Sequence, residues 1–168
     1  DFPREGNGWS FQYCRRQWSL KDNGYLKYQW LNEFDRDMVS VTKKHNMFNQ
    51  RMADLMLMKA PEQTCAFYRG SLLFVFNFHF QRSLNNVLIP VPQPGEYTVI
   101  LSSDDKKYGG FGNVKKQTYS SKVFDGKHYV ELYIPARTAF VLKEKVISTA
   151  VKKTDAAPRK KAAKKKES

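Results

Sequence analysis

The stretch from residue 72 to residue 78, LLFVFNF, is apolar at six of its seven positions. Successive side chains of a β-strand point to opposite faces, so a strand of this composition must be covered on both sides and lie centrally in a sheet. Residues 129–134, YVELYI, alternate instead, with aliphatic side chains on one face and Glu131 on the other. Together the two stretches predict a β-sheet protein with one sheet face open to solvent.

Short apolar runs of this kind recur from residue 55 onward, separated by Pro, Gly and Asp. This spacing is typical of antiparallel strands joined by turns. Seven strands are predicted, at 55–59, 64–69, 72–79, 86–91, 96–102, 129–134 and 137–142. A weaker strand pattern near 118–124 lies within a long Gly- and Lys-rich stretch that is expected to form a flexible loop. About seven strands indicate an antiparallel β-sandwich.

A helical pattern precedes the strands. Within residues 24–44, apolar side chains recur at spacings of three and four, while charged ones occupy the other side. The apolar set is Leu26, Trp30, Leu31, Phe34, Met38 and Val41. The pattern predicts an amphipathic helix with one packing face. Residues 1–22, which include Pro3, Gly6, Asn7 and Gly8, are predicted to form a loop.

Composition limits the class of protein. The 168 residues are 41% hydrophobic, which suits one main core. The longest apolar run is far shorter than the roughly 20 residues that span a bilayer, so a soluble protein without a membrane partner is expected. Cys14 and Cys65 are far apart in sequence, which favours reduced thiols in a cytoplasmic protein over a disulfide framework. The start at Asp1 suggests a piece of a longer chain.

Positive charge is concentrated at the end of the chain. Residues 151–168 hold eight Lys or Arg and two acidic residues, or +6 of the total net charge of +13. They lack aromatic residues, so a disordered basic tail is expected. This charge raises the alternative of a nucleic-acid-binding module. Contacts from such a tail would be nonspecific and salt-dependent, so no specific nucleic-acid partner is predicted.

Six blocks of the chain carry a family resemblance. They are residues 1–10 DFPREGNGWS, 14–20 CRRQWSL, 31–38 LNEFDRDM, 73–79 LFVFNFH, 108–110 YGG and 132–138 LYIPART. In this order they resemble the 1,4-alpha-glucan branching enzymes of the alpha-amylase superfamily. The resemblance extends to about residue 143, and the Lys-rich tail departs from it.

The resemblance implies a catalytic (β/α)8 barrel followed by an amylase-type C-terminal β-sandwich. Residues 1–51 would then be the end of the barrel, a loop plus its last helix, and residues 52–146 the sandwich. Residues 147–168 would be the tail. The apolar face of the helix would pack on an N-terminal barrel that this chain lacks. The implied activity is transfer of glucan chains to form α-1,6 branches in glycogen or a starch-like glucan.

No catalytic residue is assigned, because the nucleophile, acid/base and stabilising Asp motifs of the family have no counterpart here. Asp35-Arg36-Asp37 lies mid-helix and is predicted to be a solvated or ion-paired helix face. The three histidines lie in different predicted elements without ligand-spaced neighbours. No metal or other cofactor is therefore expected.

Aromatic and arginine side chains near the start of the chain are the candidate glucan contacts. They are Trp9, Tyr13, Arg15, Arg16 and Trp18. Flat rings suit the apolar faces of sugars, and Arg donates in-plane hydrogen bonds. Packing of the tryptophans against the barrel, with the arginines paired to its carboxylates, is the alternative. A third possibility is a free-standing carbohydrate-binding sandwich that uses Tyr129 and Tyr133 on an outward sheet face.

Overall fold

The computed structural model describes residues 4–12 and 18–146, and these residues form helices followed by strands. The α-helices are Ser19–Asp22 (α1) and Tyr28–Lys44 (α2). Short 3-10 helices lie at Glu5–Asn7, Met47–Asn49 and Lys106–Tyr108. The strands are Asp54–Lys59 (β1), Thr64–Arg69 (β2), Leu72–Asn77 (β3), Leu84–Val91 (β4), Gly95–Ser102 (β5), Thr118–Ser120 (β6), Lys122–Phe124 (β7), Lys127–Ile134 (β8) and Thr138–Val146 (β9). The tail at 147–168 lies outside the described residues.

The strands form two antiparallel sheets, which confirms the predicted mainly-β fold. Sheet A has six strands in the order β1-β2-β3-β9-β5-β6, and sheet B has three in the order β4-β8-β7. The strand at residues 72–77 is internal, paired with β2 and β9, as its two apolar faces predicted. Residues 118–124, where the sequence shows a weak strand pattern, form two short strands, β6 in sheet A and β7 in sheet B. Ser121 lies between them, and its backbone and hydroxyl both hydrogen-bond to Gly95.

The main core lies between the two sheets. Leu73 and Val75 of β3 are fully buried in it, together with Leu132 and Ile134 of β8. The neighbouring Phe76 is half-buried on the outer face of sheet A, because successive side chains of a strand alternate between its two faces.

A second apolar cluster lies on the outer face of sheet A, beneath α2. Phe34 and Val41 of the helix pack there against four buried apolar residues. Three of these come from sheet A, Leu72, Leu101 and Val141, and the fourth is Met47 of the 3-10 helix that follows α2. The whole apolar face of the helix was expected to pack on a barrel outside the chain. This expectation is wrong for Phe34 and Val41, which pack on sheet A instead. Leu31 and Met38 remain 64% and 42% exposed.

Within residues 4–12 and 18–146, no helix combines the length and the apolar character needed to cross a bilayer.

Candidate functional site

The structure describes two of the five predicted glucan-contact residues, and both expose their rings. Trp9 follows the 3-10 helix at Glu5–Asn7 in a left-handed conformation (φ 59°) and is 66% exposed. Trp18 precedes α1 and is 58% exposed, with the Lys21 ammonium 5.9 Å from its ring centroid. Tyr13, Arg15 and Arg16 lie outside the described residues. Assignment of the five as a glucan site therefore stays a prediction.

The Tyr108-Gly109-Gly110 segment joins the long loop to α2. Gly109 has φ +77°, and a Cβ there would lie 2.2 Å from Cε3 of the Trp30 indole. A Cβ on Gly110 would lie 2.3 Å from the backbone of Asp104. The Tyr108 ring packs edge-on against Phe34 at a centroid distance of 5.2 Å. Close packing on Trp30 of α2 thus explains Gly109, and close packing on the Asp104 backbone explains Gly110, whereas the sequence suggested a flexible loop.

Asp37 of α2 makes the polar contacts between the helix and the segment at 107–108. Lys107 Nζ donates to its Oδ2 at 2.5 Å, and the Tyr108 hydroxyl donates to the same oxygen at 2.6 Å. These hydrogen bonds, that of Lys107 first, hold the pKa of the Asp37 carboxyl below its usual range. The same bond to Asp37 raises the pKa of Lys107. Asp37 is thus an ion-paired structural carboxylate, while Asp35 is exposed.

A buried carboxylate organises the loop that follows β5. Asp104 is 6% exposed and accepts hydrogen bonds from the backbone N–H groups of Phe111, Asn113 and Val114. Three such bonds compensate the desolvation of a buried charge and fix the loop backbone. Val114 anchors the same loop in the main core.

A second buried carboxylate lies within the sandwich. Glu144 of β9 accepts hydrogen bonds from the hydroxyls of Tyr68 and Tyr97, the latter at 3.4 Å. Burial, followed by these contacts with Glu144, raises the pKa of both tyrosines. Sequence reasoning missed this carboxylate. The signal that could have revealed it is an acidic residue, Glu144, at a core-facing position of β9. Its closed surroundings suit a structural role rather than acid–base chemistry.

The outer face of sheet A also carries a row of stacked phenylalanines. Phe67 stacks on Phe74 at 4.7 Å and on Phe76 at 5.7 Å, and Phe76 stacks on Phe78 at 5.6 Å. The row borders an apolar groove of about 220 Å³ beneath α2 and ends at the exposed Phe78. Sheet A therefore presents aromatic surface on the same side as the helix.

Known proteins match this chain over most of its length. A family model described as "Alpha amylase, C-terminal all-beta domain" matches residues 57–145. Proteins named 1,4-alpha-glucan-branching enzyme are 40% identical in Yarrowia lipolytica and 38% identical in Saccharomyces cerevisiae, each over 84% of this chain and 21% of the relative. A chloroplastic/amyloplastic branching enzyme of Oryza sativa is 40% identical over 68% of this chain and 14% of its own length. The chain thus spans about a fifth of the two fungal relatives.

Proposed function

Since this chain belongs to the alpha-amylase C-terminal all-beta domain family, we propose that it acts as the C-terminal part of a 1,4-alpha-glucan branching enzyme. The observation that carries the proposal is the 40% identity with the Yarrowia lipolytica enzyme over 146 residues. That match is longer than the 57–145 domain, so it also includes sequence outside the sandwich. The activity of the whole enzyme would be chain transfer in glycogen or a starch-like glucan, in the cytoplasm.

The structural role proposed for the chain is to brace the catalytic barrel. The exposed flank of α2, including Leu31 and Met38, and the neighbouring phenylalanine row supply apolar surface on one side of the sandwich. Exposed apolar patches rimmed by polar residues are typical of protein interfaces. Residues 1–51 would form the end of the barrel, a loop plus its last helix, and residues 52–146 the supporting domain.

The chemistry would come from the barrel rather than from this chain. Retaining glycosidases place two carboxyl groups about 5–5.5 Å apart around the scissile bond, one as nucleophile and one as acid. Three carboxylates of this chain are engaged otherwise: Asp37 with Lys107, Asp104 with backbone N–H groups, and Glu144 with two tyrosines. The proposed contribution to substrate is contact through the segment from Trp9 to Trp18, whose two described tryptophans have solvent-exposed rings.

Two assays test this function. The purified chain, incubated with amylose, is expected to leave the iodine-complex spectrum unchanged and to form no α-1,6 linkages, because the family's nucleophile and acid/base motifs have no counterpart in its sequence. A hybrid in which this chain replaces the matched C-terminal part of the Yarrowia lipolytica enzyme is expected to branch amylose.

The control is the Yarrowia lipolytica enzyme truncated at the same junction, which is expected to lose activity or solubility. Branching by the isolated chain would contradict the proposed division of roles. A folded, soluble hybrid that does not branch, beside an active parent enzyme, would contradict the proposed function.

A further inference from the structure

The outer face of sheet B is turned away from α2 and carries a groove of different chemistry. Its central recess has a volume of about 430 Å³. It is lined by Asn85, Asn113, Lys115, Gln117, Tyr119 and Tyr133. A second recess of about 320 Å³ shares Gln117, Tyr119 and Tyr133 with it, and a third of about 470 Å³ shares Asn113. Because neighbouring recesses share walls, they form one open groove that suits an extended chain.

One wall of this groove is held in place before any ligand arrives. The Asp104 carboxylate accepts hydrogen bonds from the N–H groups of Asn113 and Val114, and the Val114 side chain is buried in the core. Further along, the Tyr119 hydroxyl donates to the carbonyl of Lys115 at 3.3 Å. A wall ordered in this way loses little conformational entropy on binding.

The opposite wall comes from sheet B. Asn85 and Asn86 occupy the bulge of β4, where the register with β8 shifts between Leu84 and Val87. The bulge turns the two amides out of the ladder, and Asn86 adopts φ 51°. Tyr133 of β8 stands between this wall and the 113–119 wall and is 40% exposed. The bulge therefore brings two amides to the edge of an accessible aromatic ring.

The polar groups of the groove are mostly neutral. Each primary amide offers two N–H donors and a carbonyl acceptor, which matches ligands whose groups both donate and accept hydrogen bonds. Hydroxyl groups of a sugar do both, and the rings of Tyr119 and Tyr133 offer flat apolar surface to the sugar's C–H face. The charged residues that line the three recesses are the cations Lys115, Lys122 and Arg137 and the carboxylates Asp104 and Glu131, and Lys122 is paired with Glu131 at 2.5 Å. Single-stranded nucleic acid binds best in a groove of dominant positive charge, which this groove does not offer.

We propose that this groove binds an uncharged α-glucan chain, with Tyr133 as its stacking platform and the amides of Asn85, Asn113 and Gln117 as its hydroxyl-binding groups. The inference that the groove binds a ligand rests on the geometry of the groove, whereas the identity of the sugar rests on the proposed branching function. The site is separate from the predicted contacts between Trp9 and Trp18. It would hold a glucan strand on the side of the sandwich opposite to the α2 face.

The test is titration of the 168-residue chain with maltoheptaose, followed by calorimetry and by NMR of the side-chain amides. Tyr133→Ala is expected to weaken binding at least about tenfold, the loss caused by truncating a well-placed contact residue. Tyr129→Ala is the matched control, because it removes the same side chain from the same outward face of β8 without lining either recess that contains Tyr133. It is expected to change affinity by less than about twofold. Tyr133→Phe keeps the ring and is expected to retain most of the affinity.

Several results would overturn the proposal. They are no binding of maltoheptaose by the folded chain, equal losses for Tyr133→Ala and Tyr129→Ala, and binding that survives Tyr133→Ala but is lost in Trp18→Ala. Tyr133-dependent binding of oligothymidylate in place of maltoheptaose would also overturn it.

Failure of the groove proposal can be distinguished from failure of the proposed function. A branching hybrid with no groove binding rejects the groove alone, while groove binding with an inactive hybrid rejects the branching role alone.

Discussion

At the residue scale, Gly109 combines a positive φ with close packing against an aromatic ring. We expect Gly109→Ala to lower the free energy of unfolding by about 2–4 kcal/mol, because the new methyl group meets the Trp30 ring at a positive φ. Gly126 shares the positive φ (+70°) but has no atom within 4 Å of a Cβ, so Gly126→Ala is expected to cost only about 1 kcal/mol. Urea unfolding followed by far-UV circular dichroism measures both.

Gly24→Ala completes this series, because Gly24 has neither a positive φ nor a close neighbour. It is expected to change stability by less than about 0.5 kcal/mol. Equal costs for Gly109→Ala and Gly126→Ala would contradict the expectation that the Trp30 ring leaves no room for a methyl group at residue 109.

The same residues mark what the sequence leaves undetermined at this scale. The glycines at 109 and 110 are visible as a turn signal, but their partners, Trp30 and Asp104, lie in other elements. Likewise, Tyr133 was predicted to face outward, yet its groove partners come from a β-bulge and a loop. Local patterns predict the direction of a side chain, whereas a site needs contacts between residues distant in sequence. The groove was therefore missed apart from this one tyrosine.

At the element scale, α2 and the loop after β5 are joined by the Asp37–Lys107–Tyr108 contact. The pKa of Asp37 is lowered from its ordinary value of 3.8, so the stabilisation is present above that value and is lost as pH falls through the lowered pKa. We expect Asp37→Asn to destabilise the protein by about 0.5–1 kcal/mol at pH 7, since the pair is partly exposed. In parallel urea titrations, the difference from wild type should shrink as the pH is lowered below 3.8.

Asp35→Asn is the matched control for this pair, because Asp35 lies on the same helix and is exposed. Its substitution should be nearly neutral at pH 7. Lys107→Met should reproduce the loss seen with Asp37→Asn. A stability difference for Asp37→Asn that stays constant down to low pH would argue against the ion pair as its source.

The helix and the strands were predictable where the periodicity of the hydrophobic residues is strong. The pattern at 24–44 gave the helix at 28–44, and most strands lie within a few residues of their predicted positions. Strand pairing was not predictable, because β3 pairs with β9 although residues 78–137 lie between the two strands. The division of 118–124 between two sheets depends on Ser121 bonding to Gly95, a contact that no local period encodes.

At the scale of the whole molecule, the question is whether the sandwich is independent of the residues before it. The main core draws its buried residues from β2 onward, with Met56 and Leu57 of β1 packed against it. The second cluster differs, since Met47, Phe34 and Val41 cover Leu72, Leu101 and Val141 from outside the 52–146 domain. The predicted boundary at 51/52 therefore cuts through packing on sheet A but not through the core between the sheets.

A chain of residues 52–146 is accordingly expected to unfold cooperatively, but with a free energy of unfolding lower than that of residues 1–146 by roughly 2–4 kcal/mol, because apolar side chains lose their cover. It should also bind more of a hydrophobic dye. Leu31→Ala in the longer chain is the control, and it should change little because Leu31 is already 64% exposed. Equal stability of the two chains would mean that α2 does not support sheet A. Loss of the cooperative transition would mean that the helix is part of the folding unit, and the boundary would then move to its start.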